Sequence, residues 1–190
     1  MKTKLIMESW RRFLIEGPQS TIHFMDWLVQ KTDRVHSKPG QGSIFAIPTE
    51  QVVSKVKEIA SSAGDVEEIA NTSGVLSSSV PNIGYDLVVP VVNGQPMLNG
   101  KPLDGEITTA QKEEGRGTID VPAIITDEPM ESFSTDELTI IVRPMKDSEG
   151  NVLPNEYIIL SAFPGSTGAD LRASEWAGKY MVVIPKVPSE

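Results

Sequence analysis

The chain has 190 residues, no cysteine and a formal charge of −9. Without cysteine there are no disulfides, thiolate metal sites or cysteine nucleophile, and the acidic balance weighs against a general nucleic-acid binder, which carries a basic surface. The length suits one domain, and no apolar run is long enough to cross a bilayer.

Residues 1–16 read as an amphipathic helix, with Ile6, Trp10, Phe13 and Leu14 at helical spacing and Lys2, Lys4, Arg11 and Arg12 among the polar positions. Four basic side chains against Glu8 and Glu16 make this segment positive on an acidic chain. The same charges interrupt its apolar residues, so it is not a secretory signal. Gly17 and Pro18 break the helix. The expected division is a leader over 1–16 and one domain over 17–190.

Ser20 or Thr21 can cap a second helix over 22–31, and 33–42 is a polar loop carrying Arg34, His36 and Lys38. A short strand is expected over 43–47. Pro48 and Thr49 open the clearest helix of the chain, with Thr49 as cap, Val52, Val53, Val56, Ile59 and Ala60 as its stripe and Gly64 as its end. A helical turn over 65–70 and a serine-rich loop over 71–79 follow. Leu87–Val92 is a strand, bent or at an edge because of Pro90. Asn93-Gly94, Asn99-Gly100 and Asp104-Gly105 supply turn chemistry for a meander over 93–106. The charged stretch 108–117 is expected as a loop, 119–126 as a strand and 127–135 as a connection.

Two core strands come next, Leu138–Val142 and Tyr157–Leu160, rich in β-branched and aromatic residues. Pro144 ends the first, and Gly150 and Asn151 turn the chain between them. After Phe163, the run Pro164, Gly165, Ser166, Thr167, Gly168 leads into a helix over 169–177, capped by Thr167 and closed by Gly178. A last strand covers 180–184. Helices first, then strands with one late helix, indicate an α+β fold with an antiparallel sheet.

A glycine-rich turn opening a helix presents free N–H groups to an anion, so Gly165, Ser166, Thr167 and Gly168 are candidate phosphate-binding residues, with Arg172 and Arg116 as supporting cations. The same residues also serve as an ordinary turn and cap. No metal-ligand spacing, serine nucleophile elbow or cofactor motif is present. What remains for chemistry is a metal-free arrangement of His, basic and hydroxyl side chains: His23, His36, Ser161 and Arg143. Three of them have a structural reading as well: His23 as a packed core residue, His36 as a solvated loop residue, and Arg143 as a surface pair.

Two resemblances bear on origin and activity. Met1 to Lys4, followed by Phe13, Leu14, Ile15, Glu16 and Gly17, resembles the leader of proteins packaged inside the heads of T-even-like tailed phages. That resemblance implies a prohead scaffold and prohead protease as partners of residues 1–16, cleavage after Glu16, and a place in the virion interior or host cytoplasm. His23, the segment Ser43, Ile44, Phe45 before a capped helix, and the ending Ser161, Ala162, Phe163, Pro164 resemble the barnase–EndoU–colicin–RelE type of ribonuclease and toxin fold. Ser161 stands where that family has Thr, and Phe163 where it has Tyr. The resemblance implies a metal-independent endoribonuclease acting on RNA without cofactor. The alternative expectation, from the acidic charge, is a non-catalytic phage protein that binds a host or virion protein.

Overall fold

The computed structural model describes residues 21–24, 40–64, 66–114, 117–167 and 171–186. Strands β1 (Thr21–Phe24) and β2 (Ser43–Phe45) precede helices α1 (Thr49–Ser62) and α2 (Val66–Asn71). There follow β3 (Val75–Asp86), β4 (Val88–Val92), β5 (Gln95–Leu98), β6 (Lys101–Pro102), β7 (Glu106–Glu114), β8 (Gly117–Thr126), β9 (Ser134–Lys146), β10 (Val152–Pro164) and β11 (Tyr180–Pro185). Sheet A has the order β1-β10-β9-β3-β2, and sheet B the order β6-β5-β4-β11-β8-β7.

The α+β class is observed, and it is mostly sheet. The finer expectation of helices first and a purely antiparallel sheet is not. The first helix among the described residues begins at Thr49, and two pairings are parallel, β1 with β10 and β11 with β8. In place of a helix starting at residue 22, β-branched Thr21 and Ile22 extend along β10, which puts Ile22 against the core. The leader 1–16, His36, Arg116 and Gly168 lie outside the described residues.

One face of sheet A carries α1 and α2. Val52, Val56 and Ala60 of α1 and Val66 and Ala70 of α2 pack with Leu138, Ile140, Val142, Tyr157 and Ile159. The stripe expected for α1 is therefore real, although Pro48 occupies the cap position and Thr49 is the first helical residue. At the other end of sheet A the opposite face is covered. Ile44 and Tyr85 pack there with Leu87, Val89, Phe133, Met181 and Val183 of the sheet B core. The outer face of sheet B is closed by the 171–176 segment, whose Leu171, Ala173 and Trp176 pack on Val121, Ala123 and Val182.

Two segments read as irregular are strands. Ser77, Ser78 and Ser79 belong to β3 because they pair with Thr139, Leu138 and Glu137, and the charged stretch from Glu106 forms β7 against β8. For the serines a strand far away in the chain, and for the charged stretch the strand that follows it, override the weak local propensity of serine and glutamate. Pro144 does not end β9, which continues to Lys146, with Pro144 opposite Tyr157. The helix expected over 169–177 is, in its described part, a three-residue 3-10 turn, Ala173–Glu175. It makes way for Leu171 and Trp176 to reach sheet B.

Turn chemistry follows the sequence. Asn93 and Gly94, and Asn99 and Gly100, all have positive φ, as two-residue hairpins with matching twist require. The β9–β10 hairpin is closed by Asp147, whose Oδ1 accepts the N–H groups of Glu149 and Asn151 at 2.9 Å. The Asn151 side chain and backbone hold that carboxyl below its usual range.

Ile140 is fully buried between the helices and sheet A, whereas Ile107 is 60% exposed on β7. Ile140→Ala is expected to destabilise the protein by about 2–5 kcal/mol and Ile107→Ala to change it by no more than about 0.5 kcal/mol, read by urea denaturation.

Candidate functional site

Strand pairing determines which expected site residues share a face. Ile22 pairs with Tyr157 and points to the helices, so its neighbour His23 points the other way. His23 lies opposite Ile158, and Ile158 lies opposite Arg143. A bulge between Ile159 and Ser161 shifts the register by one, which brings Ser161 opposite Ile141 on this same face. His23, Ser161 and Arg143 thus stand together on the side of sheet A away from α1 and α2. At a strand spacing of about 4.8 Å, the Cα atoms of His23 and Arg143 are roughly 10 Å apart, with Ser161 on the strand between them.

Each of the three has a distinct local state. The Nε2 of His23 is 3.1 Å from Oε2 of Glu156, and both side chains are part-exposed, at 40% and 38%. Glu156 opens the core half of β10 and reaches diagonally across to β1. Ser161 is only 9% exposed. Arg143 donates through Nη1 to the carbonyls of Val142 at 2.9 Å and Ser73 at 3.3 Å. Its guanidinium rests on Gly74, where φ is +66° and a Cβ would lie 2.7 Å from the Val142 carbonyl oxygen, so this position requires glycine. His23 and Arg143 therefore flank the face rather than touch. Glu137, paired with Ser79, adds a second carboxylate to it.

The expected anion-binding turn is found holding an anion that belongs to the chain itself. Gly165 has a φ of 87°, and a Cβ there would come within 2.1 Å of Oδ2 of Asp86. The Thr167 N–H donates to that oxygen at 3.3 Å, and the Val88 N–H donates to Oδ1 at 3.2 Å. Gly165 is fixed further by its N–H on the Glu137 carbonyl and by the buried Thr139 hydroxyl on its own carbonyl. Ser166 is exposed. Arg172 is not on the face of His23: it lies between Leu171 and Ala173, which pack on sheet B, and its N–H donates to Glu175.

Burial raises the Asp86 carboxyl from 3.8 to about 6, against the lowering effect of hydrogen bonds from Thr167, Val88 and Ser166. Asp86 lines a cleft between the β4–β5 hairpin and the start of β9. Two residues of interest, Glu156 and Asp86, were not singled out from sequence. Asp86 had a visible signal: it is the one charge inside the apolar run from Ile83 to Val92. Glu156 had none, because its importance comes from its register with β1. Among the described residues there is no group of three or more His, Asp or Glu side chains placed to hold a metal ion, and no helix is long and apolar enough to cross a membrane.

No protein-family model matches the chain, and neither a curated protein nor a solved structure does.

Because the folded pKa of Asp86 lies above its unfolded value, the native state holds this proton more tightly. The stability it contributes is complete below about pH 3.8 and is lost as pH rises through about 6. Between pH 4 and 7 the unfolding free energy of the parent should fall by up to about 3 kcal/mol relative to Asp86→Asn, measured by denaturation at each pH.

Proposed function

We propose that this chain is a phage-encoded, metal-independent ribonuclease-type protein whose site is the face of sheet A away from α1 and α2. The observation that carries this reading is the His23–Glu156 pair, 3.1 Å apart and part-exposed, on the same face as Ser161 and Arg143. Two further features support it. A helix pair packs on one side of the antiparallel strands β3, β9 and β10. The Ser161 to Pro164 ending lies at the close of β10, beside the strand that bears His23.

The chemistry needs no metal. His23, oriented by Glu156, takes the proton of a ribose 2′-hydroxyl, and the 2′-oxygen attacks the adjacent phosphorus. The protonated imidazole then returns a proton to the departing 5′-oxygen. Arg143 supplies positive charge as negative charge grows on the phosphate, and Ser161 donates a hydrogen bond to it. Residues 1–16 act as the packaging leader, recognised by prohead scaffold and cut by prohead protease after Glu16. The protein then resides in the virion interior and, after injection, in the host cytoplasm.

A second reading is favoured by the charge of the same face. Glu137 and Glu156 stand there against Arg143, so the face suits a basic protein better than a polyphosphate chain. On this reading the chain is a non-catalytic phage protein bound to a host or virion partner.

RNA cleavage in EDTA separates the two. The parent is expected to cleave, and His23→Ala to lower the rate by about 10²–10⁴-fold with unchanged folding. A folded parent that leaves several RNAs intact excludes the ribonuclease reading and leaves the binding one.

A further inference from the structure

The Asp86 cleft has a volume of about 390 Å³, within the usual range for small-molecule sites. It is built by the crossing of the chain from sheet A to sheet B. Asp86 ends β3, Thr167 follows β10, Leu98 ends β5, and Phe133, Ser134 and Thr135 lead into β9. Its wall combines one carboxylate, several hydroxyls and an apolar surface. Asp86 is the only charged residue that lines it among those described. Hydrogen bonds to its oxygens come from Thr167, Val88 and Ser166, and among the described residues no cationic side chain is one of its partners. A largely buried carboxylate ordinarily has a positive partner. Asp86 itself lines the cleft, which can supply that partner from solution.

We propose that this cleft binds a small organic cation bearing hydroxyl groups, with its ammonium group against Asp86 and its hydroxyls against Ser134, Thr135 and Thr167. The carbon skeleton of the ligand lies on Leu98 and Phe133. A neutral polyol of the same shape gains the hydroxyl contacts but leaves Asp86 without a counter-charge, so it binds more weakly. The ammonium group binds the ionised carboxylate, which gives the site a pH dependence. Among the described carboxylates near the cleft, Glu128 accepts the Ser132 hydroxyl, and Asp136 accepts the Asn82 N–H. With Asp86 titrating near 6, affinity should be about tenfold lower at pH 5 than at pH 7, because only the ionised fraction is competent.

The test is an NMR titration of the full chain with glucosamine and with ethanolamine, beside glucose and ethylene glycol as neutral counterparts. Saturable shifts of the Val88, Ser134 and Thr167 amides with either cation, weaker at pH 5 and at least several-fold weaker in affinity for the neutral molecules, are expected. Asp86→Asn should abolish them. Ser134→Phe, which fills the cleft without touching Asp86, should do the same if Asp86→Asn perturbs the fold. No saturable shift with either cation, equal shifts with the neutral molecules, or affinity independent of pH would overturn the proposal. RNA cleavage is measured separately and is unaffected by either outcome.

Discussion

Everything in the structure depends on the pairing of β9, which is hydrogen-bonded along both edges, to β10 on one side and β3 on the other. Its alternate residues Leu138, Ile140 and Val142 enter the core beneath the helices, while Thr139, Ile141 and Arg143 face away. A slip of one residue would exchange these two sets. The register is fixed at several places. Asp147 closes the hairpin, Gly165 donates to Glu137 and receives the Thr139 hydroxyl, and Val142 donates to Gly74. The same register puts Arg143, Ile158 and His23 in one row, so the candidate site is a consequence of how β9 pairs.

The second constraint is the passage from one sheet to the other at Asp86 and Leu87. Leu87 is fully buried; its N–H donates to Gly42 and its carbonyl accepts from Val183. Gly84 is required nearby, because a Cβ there would lie 2.2 Å from the Ile44 carbonyl oxygen and 2.6 Å from Pro164. Close backbone packing leaves the Asp86 carboxylate little water, and burial outweighs its hydrogen bonds. The chain thus carries a buried carboxyl that holds its proton at the passage between the sheets, and a part-exposed His23–Glu156 pair on sheet A.

Much of the local structure was legible in the sequence. The apolar stripe of α1, the core runs of β9 and β10 and the Asn-Gly turns are each determined by neighbours in the chain. What was not legible depends on distant partners. Ser77 to Ser79 have no strand propensity of their own and become one only against β9. Thr21 and Ile22, β-branched and suited to a strand, are placed by β10, whose paired residues begin at Glu156. Of the expected site residues, His23, Ser161 and Arg143 come to one face, for which the sequence offered residue types but no register. Gly165 and Thr167 do surround an anion, yet it is Asp86, because a turn that attracts phosphate attracts a neighbouring carboxylate by the same N–H groups.

The functional account joins a hydrogen-bonded His–Glu pair to an acidic setting. On the proposed reading Glu156 orients His23, while Glu156 and Glu137 repel phosphates, so RNA should bind weakly. The most direct measurement follows the His23, Ser161 and Arg143 resonances while a 2′-O-methyl RNA dinucleotide, which cannot be cleaved, is added to the full chain. Shifts confined to these residues and their neighbours on β1, β9 and β10 are the expected result. Shifts elsewhere, or none at saturating dinucleotide, would contradict the assignment of this face as the site.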